Sequence, residues 1–287
     1  MPKQKTGPLY VMLAALLWSF AGVGAKYIPW HPLSISCVRG AVAAITIACM
    51  RRQQRPTLTK ATIAASLCMF ATSTLFMFAI KLTSSANAIV LQYTAPVYVL
   101  IATTLVKKSR FRPMDIGAVL LTLTGIVFFF VDHMGKGAML GNALSLLSGM
   151  TFACVFFINS LPSANPQDAS LIGCALSFLL LPMLLIDKQV VSAGWLPWFV
   201  AILLGSVQLG LAYYFFSKGV QQTGAITSSI ICTAEPILNP LWVFLVMNER
   251  PGTLSIIGGI IVIITICTYN ILSVKQPVAV ADTSAAA

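Results

Sequence analysis

The chain has 287 residues, of which 58% are hydrophobic and only 9% are charged, and its formal net charge is +11. A soluble domain usually has about a quarter charged residues, so this composition excludes a soluble protein with a water-facing surface. It predicts a chain that spends most of its length crossing a bilayer, where a positive net charge is no sign of nucleic-acid binding.

Long apolar stretches predict ten transmembrane helices. A spanning helix needs about 20 residues, and runs without Asp, Glu, Lys or Arg cover 61–80, 82–106 and 189–217, among others. In lipid the backbone must satisfy its own hydrogen bonds, so such continuous runs favour helices. The predicted helices cover residues 9–26, 33–50, 61–80, 85–106, 113–131, 138–159, 169–186, 195–217, 224–246 and 253–273.

The two ends of the chain are predicted to be cytoplasmic. Lysines precede the first apolar stretch, as they do in a signal peptide. Because nine more predicted spans follow, an uncleaved first span is favoured. Residues 1–8 are the predicted cytoplasmic N-terminus, and residues 274–287 are a small, polar tail predicted to be disordered.

Lysine and arginine residues set the predicted orientation in the cell membrane. With ten spans, 12 of them lie at the inner side and 5 at the outer side, and loops rich in these residues stay cytoplasmic. The inner residues are Lys3, Lys5, Arg51, Arg52, Arg55, Lys60, Lys107, Lys108, Arg110, Arg112, Lys218 and Lys275.

The chain contains two copies of one pattern. Thr94-Ala95-Pro96 returns as Thr233-Ala234-Glu235-Pro236, with the two prolines 140 residues apart. Two apolar segments can look alike by composition alone, but further lysine and glycine matches keep the same order. Residues 9–131 and 138–273 are therefore predicted to be two repeats of five spans each. Because five is odd, the second repeat is inverted relative to the first.

Glu235 is the one carboxylate predicted deep in the membrane. A charge at that depth costs about 2.5–3.5 kcal/mol on insertion scales, so a basic partner, water or a proton must offset it. Pro236 and Pro240 interrupt the helix around it, and Asn239 adds an amide. Such a stretch is tolerated where it lines a cavity. Glu235 is thus a substrate ligand, a proton carrier, or a structural residue that holds two helices together.

Arg39 is the matching charge in the second span. It lies six residues after Leu33, near the predicted start of that span. Its long side chain has three options at this depth. It snorkels to the outer interface, pairs with Glu235, or binds a substrate carboxylate.

Other polar and aromatic residues within spans are weaker candidates for a substrate or proton pathway, since aromatic residues in spans more often serve packing. Polar groups surround the helix-breaking Pro96 in the fourth span, where they face either a cavity or another helix. The full set of pathway candidates is Glu235, Arg39, Gln92, Tyr93, Asn87, Asn239, Trp18, Ser19, Tyr213 and Tyr214, with Pro96, Pro236 and Pro240 as helix breaks.

Signals for an enzyme, a metal site or a cofactor are lacking in the sequence. The seven cysteines all fall in apolar segments without a CxxC pair, and His31 and His133 have no ligand spacing between them. There is no Gly-rich phosphate loop and no Ser/His/Asp set. We therefore predict a protein that is not an enzyme and binds no metal or cofactor.

Several of these segments resemble EamA-type members of the drug/metabolite transporter superfamily. Residues 85–98 resemble their fourth span, and Ala234-Glu235-Pro236, residues 239–242 and Glu249-Arg250-Pro251 resemble the end of their second repeat. The Leu17-Trp18 pair and Arg39 also fit. In one departure, Ser109-Arg110 stands where the first repeat usually carries a Glu-Arg type pair.

The resemblance implies an all-α membrane protein of ten helices in two inverted repeats, with a central cavity lined by spans 1, 3, 4, 6, 8 and 9. It also implies the movement of small metabolites, often the export of amino acids or related compounds. We therefore predict a secondary transporter that works by alternating access. Its partners would be a small-molecule substrate, the lipid bilayer and protons, and the sequence leaves a homodimer open. The alternative is a non-transporting membrane sensor or assembly protein.

Overall fold

A computed structural model of the chain describes residues 6–51, 55–106, 113–132, 136–248 and 252–275. In these ranges every regular element is a helix. Several expectations fall outside the described residues: Lys3, Lys5, Arg52, Lys107, Lys108, Ser109, Arg110, Arg112, His133, the Glu249-Arg250-Pro251 motif and the tail beyond residue 275.

The helices follow one another with short connections. The first half contains α1 (Gly7–Trp18), α2 (Ala21–Tyr27), α3 (Pro32–Met50), α4 (Lys60–Leu82), α5 (Ser85–Gln92), α6 (Ala95–Val106) and α7 (Pro113–Asp132). The second half contains α8 (Lys136–Asn159), α9 (Pro166–Ala175), a 3₁₀ turn (Leu176–Leu180), α10 (Leu181–Ile186), α11 (Lys188–Val191), α12 (Trp195–Leu203), a π-helical stretch (Leu204–Leu211), α13 (Ala212–Thr223), α14 (Ala225–Cys232), α15 (Ala234–Met247) and α16 (Thr253–Lys275).

Helical residues occupy each of the ten predicted segments. Within the described residues, six helical segments are long and apolar enough to cross a membrane: Gly7–Tyr27, Pro32–Met50, Lys60–Leu82, Ala138–Asn159, Pro166–Ile186 and Trp195–Thr223. Shorter apolar helices occupy three of the remaining positions, namely Ile116–Phe128, Ala234–Met247 and Thr253–Thr265. The fourth position holds α5 and α6. The chain is therefore an all-helical, multi-pass membrane protein, while the ten-span count and the inverted repeat stay predictions.

Side-chain caps fix where several helices begin. The Oγ1 atom of Thr59 accepts a hydrogen bond from the backbone N–H of Thr62 (3.0 Å) before α4, and Ser84 Oγ accepts one from the N–H of Asn87 (3.1 Å) before α5. These caps satisfy N–H groups that the first helical turn leaves without partners. Thr59 and Ser84 stand just before apolar runs, so the capping residues and the hydrophobic pattern indicate the same helix starts.

Two helix breaks lie next to the prolines that predicted them. The helix of the fourth predicted span ends at Gln92 and starts again at Ala95, and the ninth ends at Cys232 and starts again at Ala234. A proline lacks the N–H that would continue the preceding turn, and its ring collides with a carbonyl there. Pro96 and Pro236 each follow their break within the first turn of the new helix. The predicted break at Pro240 is wrong, because Pro240 lies inside the continuous helix α15.

Three other interruptions differ from the sequence prediction. The helix predicted at 9–26 is two helices, and Ser19 between them donates to the carbonyl of Leu16 (2.7 Å), a bond that competes with the helical backbone pattern. The segment predicted at 169–186 contains the 3₁₀ turn. The segment predicted at 195–217 contains the π-helical stretch and extends to Thr223. No proline marks the first or the third of these sites.

Small residues let neighbouring helices approach closely. A Cβ atom added to Gly205, in the π-helical stretch, would lie 2.6 Å from Val42 Cβ and 2.7 Å from the Arg39 carbonyl oxygen in α3. Such close backbone approach is typical of membrane helix interfaces. Gly205 thus fixes the distance between α3 and the eighth predicted span.

We expect Gly205→Ala to destabilise the protein by about 1–3 kcal/mol, because the added methyl group must push α3 away. Gly117→Ala in α7 is the matched control, since a Cβ there meets no heavy atom within 4 Å. Thermal unfolding in detergent, followed by tryptophan fluorescence, measures the difference. Equal unfolding midpoints for the two variants would contradict the close packing at Gly205.

Candidate functional site

A small cavity lies at the level of the helix breaks and is called the central cavity below. Its volume is about 40 Å³, which is room for a few water molecules and too little for an organic solute. Most of the side chains in its wall are buried. Its walls are formed by Trp18, Arg39, Thr72, Ser73, Phe76, Gln92, Phe152, Gln208, Leu209, Tyr213 and Glu235.

Glu235 supplies the acidic side of the central cavity. Its side chain is 4% exposed, and its Oε2 atom accepts a hydrogen bond from the hydroxyl group of Tyr93 (2.6 Å). Glu235 lies in the first turn of α15. The free N–H groups at a helix N-terminus favour negative charge, so the break before α15 stabilises this carboxylate.

Arg39 supplies the basic side, and its head group points inward. The side chain is 2% exposed; Nη1 donates to Gln208 Oε1 (3.3 Å), and Nη2 donates to Ser73 Oγ. The predicted option that Arg39 snorkels to the outer interface is therefore wrong. Gln208 and Ser73 give the guanidinium group partners inside the protein, so it has no need to reach the interface.

The acid and the base of the cavity are not paired with each other. Among the described residues, the ion pair that the structure contains joins Arg51 to Asp168, and it includes neither Arg39 nor Glu235. The Nε atom of Arg39 is buried without a hydrogen-bond partner. Arg39 and Glu235 thus line one cavity without pairing, and Arg39 keeps one unused hydrogen-bond donor.

Aromatic rings form another wall of the cavity. The Trp18 ring lies 5.3 Å from the Tyr213 ring, 5.9 Å from the Phe152 ring and 5.3 Å from the Phe216 ring, measured between centroids. The pairs with Tyr213 and Phe152 are edge-to-face and the pair with Phe216 is tilted, and such arrangements are stable and pack densely. The cavity therefore combines two charged groups with a rigid apolar surface.

Polar side chains connect the cavity wall across helices. The side-chain amide of Gln92 donates to Ser148 Oγ (2.7 Å), and Ser148 Oγ donates to the Thr72 carbonyl oxygen (3.0 Å). The side-chain amide of Gln208 donates to the Trp18 carbonyl oxygen (3.2 Å), which the helix end after α1 leaves available. These bonds fix α4, α5 and α8 on one side and α1 and the π-helical stretch on the other.

The remaining candidates lie outside the cavity wall. Asn87 and Asn239 are fully buried, and neither side-chain amide has a hydrogen-bond partner. Ser19 accepts a bond from Trp242 Nε1 (3.1 Å). The Tyr214 hydroxyl accepts a hydrogen bond from Lys218, and its ring does not line the central cavity.

Irregular backbone surrounds the cavity. Trp18 ends α1, Tyr93 follows α5, Gln208 lies in the π-helical stretch, and Glu235 is in the first turn of α15. Non-helical backbone at membrane depth is tolerated where it lines a cavity or is buried in protein. Single-turn π-helical insertions are also frequent at functional sites. These four interruptions of the regular α-helix thus lie around the central cavity.

Several residues of this site were not predicted from the sequence. Gln208, Ser73, Thr72, Phe76 and Phe152 all line the cavity, but none was among the candidates. Gln208 carried a usable signal, because it is a large amide within an uncharged apolar run. The others are ordinary in composition for a membrane helix, and only the fold places them here. In the described residues no group of three or more His, Cys, Asp or Glu side chains could hold a metal ion.

Comparison with known protein families gives a match over nearly the whole chain. The model described as the EamA-like transporter family matches twice, over residues 5–131 and 139–271. The two matched ranges coincide closely with the two halves seen in the sequence pattern.

Two curated relatives match the chain end to end. An uncharacterized inner membrane transporter, YicL, of Salmonella typhimurium is 25% identical over 92% of this chain and 96% of its own. An uncharacterized transporter of Archaeoglobus fulgidus is 26% identical over 90% of this chain and 93% of its own. A solved crystal structure is similar with a TM-score of 0.68 and 16% identity, covering 95% of this chain and 100% of that chain. At that identity the likeness shows the fold alone.

We expect Tyr93→Phe to lower the unfolding free energy by about 1–3 kcal/mol, because it leaves the buried Glu235 carboxylate without its donor. Tyr98→Phe is the matched control in the same predicted span, since Tyr98 is only partly buried. Denaturant unfolding in detergent micelles measures both variants. A loss at Tyr98 as large as that at Tyr93 would contradict the hydrogen bond to Glu235.

Proposed function

Because the chain belongs to the EamA-like transporter family, we propose that it is a secondary transporter for a small zwitterionic metabolite of the amino-acid type. It would export this substrate across the cytoplasmic membrane by alternating access, with both termini in the cytoplasm. The separated charges in the central cavity carry this proposal.

The charges of the central cavity suit a zwitterion. Arg39 has an unpartnered Nε atom and can bind a carboxylate through two parallel hydrogen bonds. Glu235 can bind an ammonium group, and the face of the Trp18 ring adds a favourable surface for a cation. Two unpaired opposite charges are costly in a buried site. A zwitterion would neutralise both at once, which a neutral or singly charged solute cannot do.

The size of the cavity supports a cycle with at least one open state. A volume of about 40 Å³ excludes an amino acid, so helices around the site must separate before a substrate can enter. In alternating access, this opening occurs towards one side of the membrane at a time, around a site near the midplane. The conformation described here has no room for an amino acid in the cavity, so it fits a substrate-free step of the cycle.

Glu235 has a second possible role in the same cycle. A carboxylate that faces a cavity in the membrane can carry a coupling proton when no substrate amine is bound. Protons moving inward would then drive the substrate outward. In that case Glu235 alternates between the two ligands, and Arg39 remains charged throughout.

Purified protein should be stabilised by zwitterionic amino acids with apolar side chains, because a ligand that binds the folded form raises its stability. The N-acetyl and the amide derivative of the same amino acid each lack one charge and should give no thermal shift. A screen of the common amino acids with these paired derivatives is the measurement. Equal shifts with a zwitterion and both derivatives would contradict the two-charge site.

Transport of the most stabilising amino acid should fall at least about tenfold in Arg39→Gln proteoliposomes, since about 1.4 kcal/mol of lost binding suffices. Arg55→Gln is the matched control, because Arg55 is exposed in a loop.

Glu235→Gln separates two roles of Glu235, binding of the substrate amine and transport of a coupling proton. Loss of substrate exchange indicates an amine ligand, whereas exchange without pH-driven accumulation indicates a proton carrier. Unchanged exchange and unchanged pH dependence would remove Glu235 from the mechanism.

A further inference from the structure

The second and seventh predicted spans, α3 and the α9–α10 segment, are joined at one end by a buried ion pair. Arg51, directly after α3, pairs with Asp168 in the first turn of α9, and their side chains are 4% and 0% exposed. The backbone N–H of Thr57 also donates to Asp168 Oδ2 (2.6 Å). This is the end that the charge pattern predicts to face the cytoplasm.

The opposite end of the same pair is also joined. The backbone N–H of His31, just before α3, donates to Asp187 Oδ2 (2.8 Å), just after α10. The N–H of Gln189 donates to Asp187 Oδ1 (3.1 Å). Partial burial works to raise the pKa of Asp187, but these bonds and the nearby Ser34 hydroxyl outweigh it and lower that pKa. The carboxylate is therefore ionised at neutral pH and remains a strong acceptor.

Close packing joins the two segments midway. A Cβ atom added to Gly40 in α3 would lie 3.2 Å from the Cys174 carbonyl oxygen and would overlap the Ser177 side chain. Since α3 meets α9–α10 at both ends and in the middle, the two segments form one rigid unit, called the axis pair below.

We infer that the axis pair stays closed at both faces of the membrane throughout the transport cycle, while other helices open and close around it. The inference rests on the proposed function, since a fixed axis requires a protein that alternates between two open sides.

The chemistry of the inner end opposes its use as a gate. Separating Arg51 from Asp168 would break a buried ion pair and would require water to enter and solvate both charges. A cycling transporter needs its two open states at similar free energy, so that small differences in ligand binding can shift the population. The ion pair is therefore better suited to an interface that stays closed than the neutral contacts between other helices are.

The proposed inverted repeat leads to the same conclusion by symmetry. The symmetry that exchanges the two repeats places the second span on the seventh and the seventh on the second. The axis pair is therefore placed on itself, with its outer and inner ends exchanged. Symmetry therefore gives the axis pair no separate partner pair at the opposite face, and both of its ends are joined in the described conformation. Helix pairs that exchange with a different pair at the opposite face are the candidates for gates.

Two other helix pairs exchange in this way. At the outer face, Thr83 at the end of α4 donates to Asn142 Oδ1 in α8 (2.9 Å). At the inner face, a Cβ atom on Gly219 in α13 would lie 2.7 Å from the Gly7 carbonyl oxygen at the start of α1. The α4–α8 contact maps onto the α13–α1 contact, so these two are the outer and inner gates of the proposed cycle.

The axis pair gives Arg39 a fixed position. Arg39 lies midway along α3, with a buried guanidinium group that lines the central cavity. If α3 does not move, the carboxylate-binding group stays at the same depth in every state. Opening then changes only which side of the membrane reaches it.

Covalent locks test this inference. In a variant whose seven cysteines are replaced by alanine, cysteine pairs are introduced and joined by a short, reducible, thiol-reactive crosslinker. The inner axis lock is Arg51→Cys with Asp168→Cys, the outer axis lock is Ser34→Cys with Asp187→Cys, and the gate lock is Thr83→Cys with Asn142→Cys. Transport of the most stabilising amino acid is measured in proteoliposomes before and after crosslinking.

Both axis locks should leave the transport rate within about twofold of the same variant before crosslinking, whereas the gate lock should reduce it to background until a reducing agent is added. Loss of transport in either axis lock, restored by reduction, would overturn the inference. The outer axis lock keeps the Arg51–Asp168 pair, so it decides the question even if loss of that pair prevents folding. Absence of transport in the unlocked parent would instead overturn the proposed function, and the axis with it.

Discussion

A buried acidic side chain and a buried basic side chain that are kept apart impose the main constraint on this structure. Glu235 accepts a hydrogen bond from Tyr93, and Arg39 donates hydrogen bonds to Gln208 and Ser73, so neither is held by the other. An unpaired buried charge is costly, so a fold retains it only where surrounding groups stabilise it. The helix breaks supply those groups, and their placement around one cavity follows from that requirement.

Some helix breaks of the site could be predicted from the sequence, and others could not. Pro96 and Pro236 announce their breaks in the sequence, because the chemistry of proline acts locally. The depth of Glu235 could be read from its apolar surroundings. The break after Trp18 and the π-helical stretch at Gln208 have no proline, and they depend on contacts with distant helices. Sequence reasoning therefore located the acid but not the partners of the base.

The orientation of Arg39 illustrates the same limit in another way. Its depth in the second predicted span is compatible with snorkelling, with an ion pair or with an inward-facing site. Only the fold brings Gln208 and Ser73 within hydrogen-bond distance and closes the route to the interface. Tertiary context, rather than position in the helix, decides between the three options. The general helical arrangement was predictable because hydrophobic length depends on the bilayer alone.

A static role for the buried charges would make this a sensor or an assembly protein, as the alternative reading of the sequence has it. The separation of Arg39 from Glu235 argues against that role, since a structural acid and base in one buried site gain from pairing with each other. A high-resolution structure with a bound zwitterionic amino acid distinguishes the two most directly. We predict its carboxylate within hydrogen-bond distance of Arg39 and its ammonium group beside Glu235. A direct Arg39–Glu235 ion pair, with the amino acid bound elsewhere, would contradict this account.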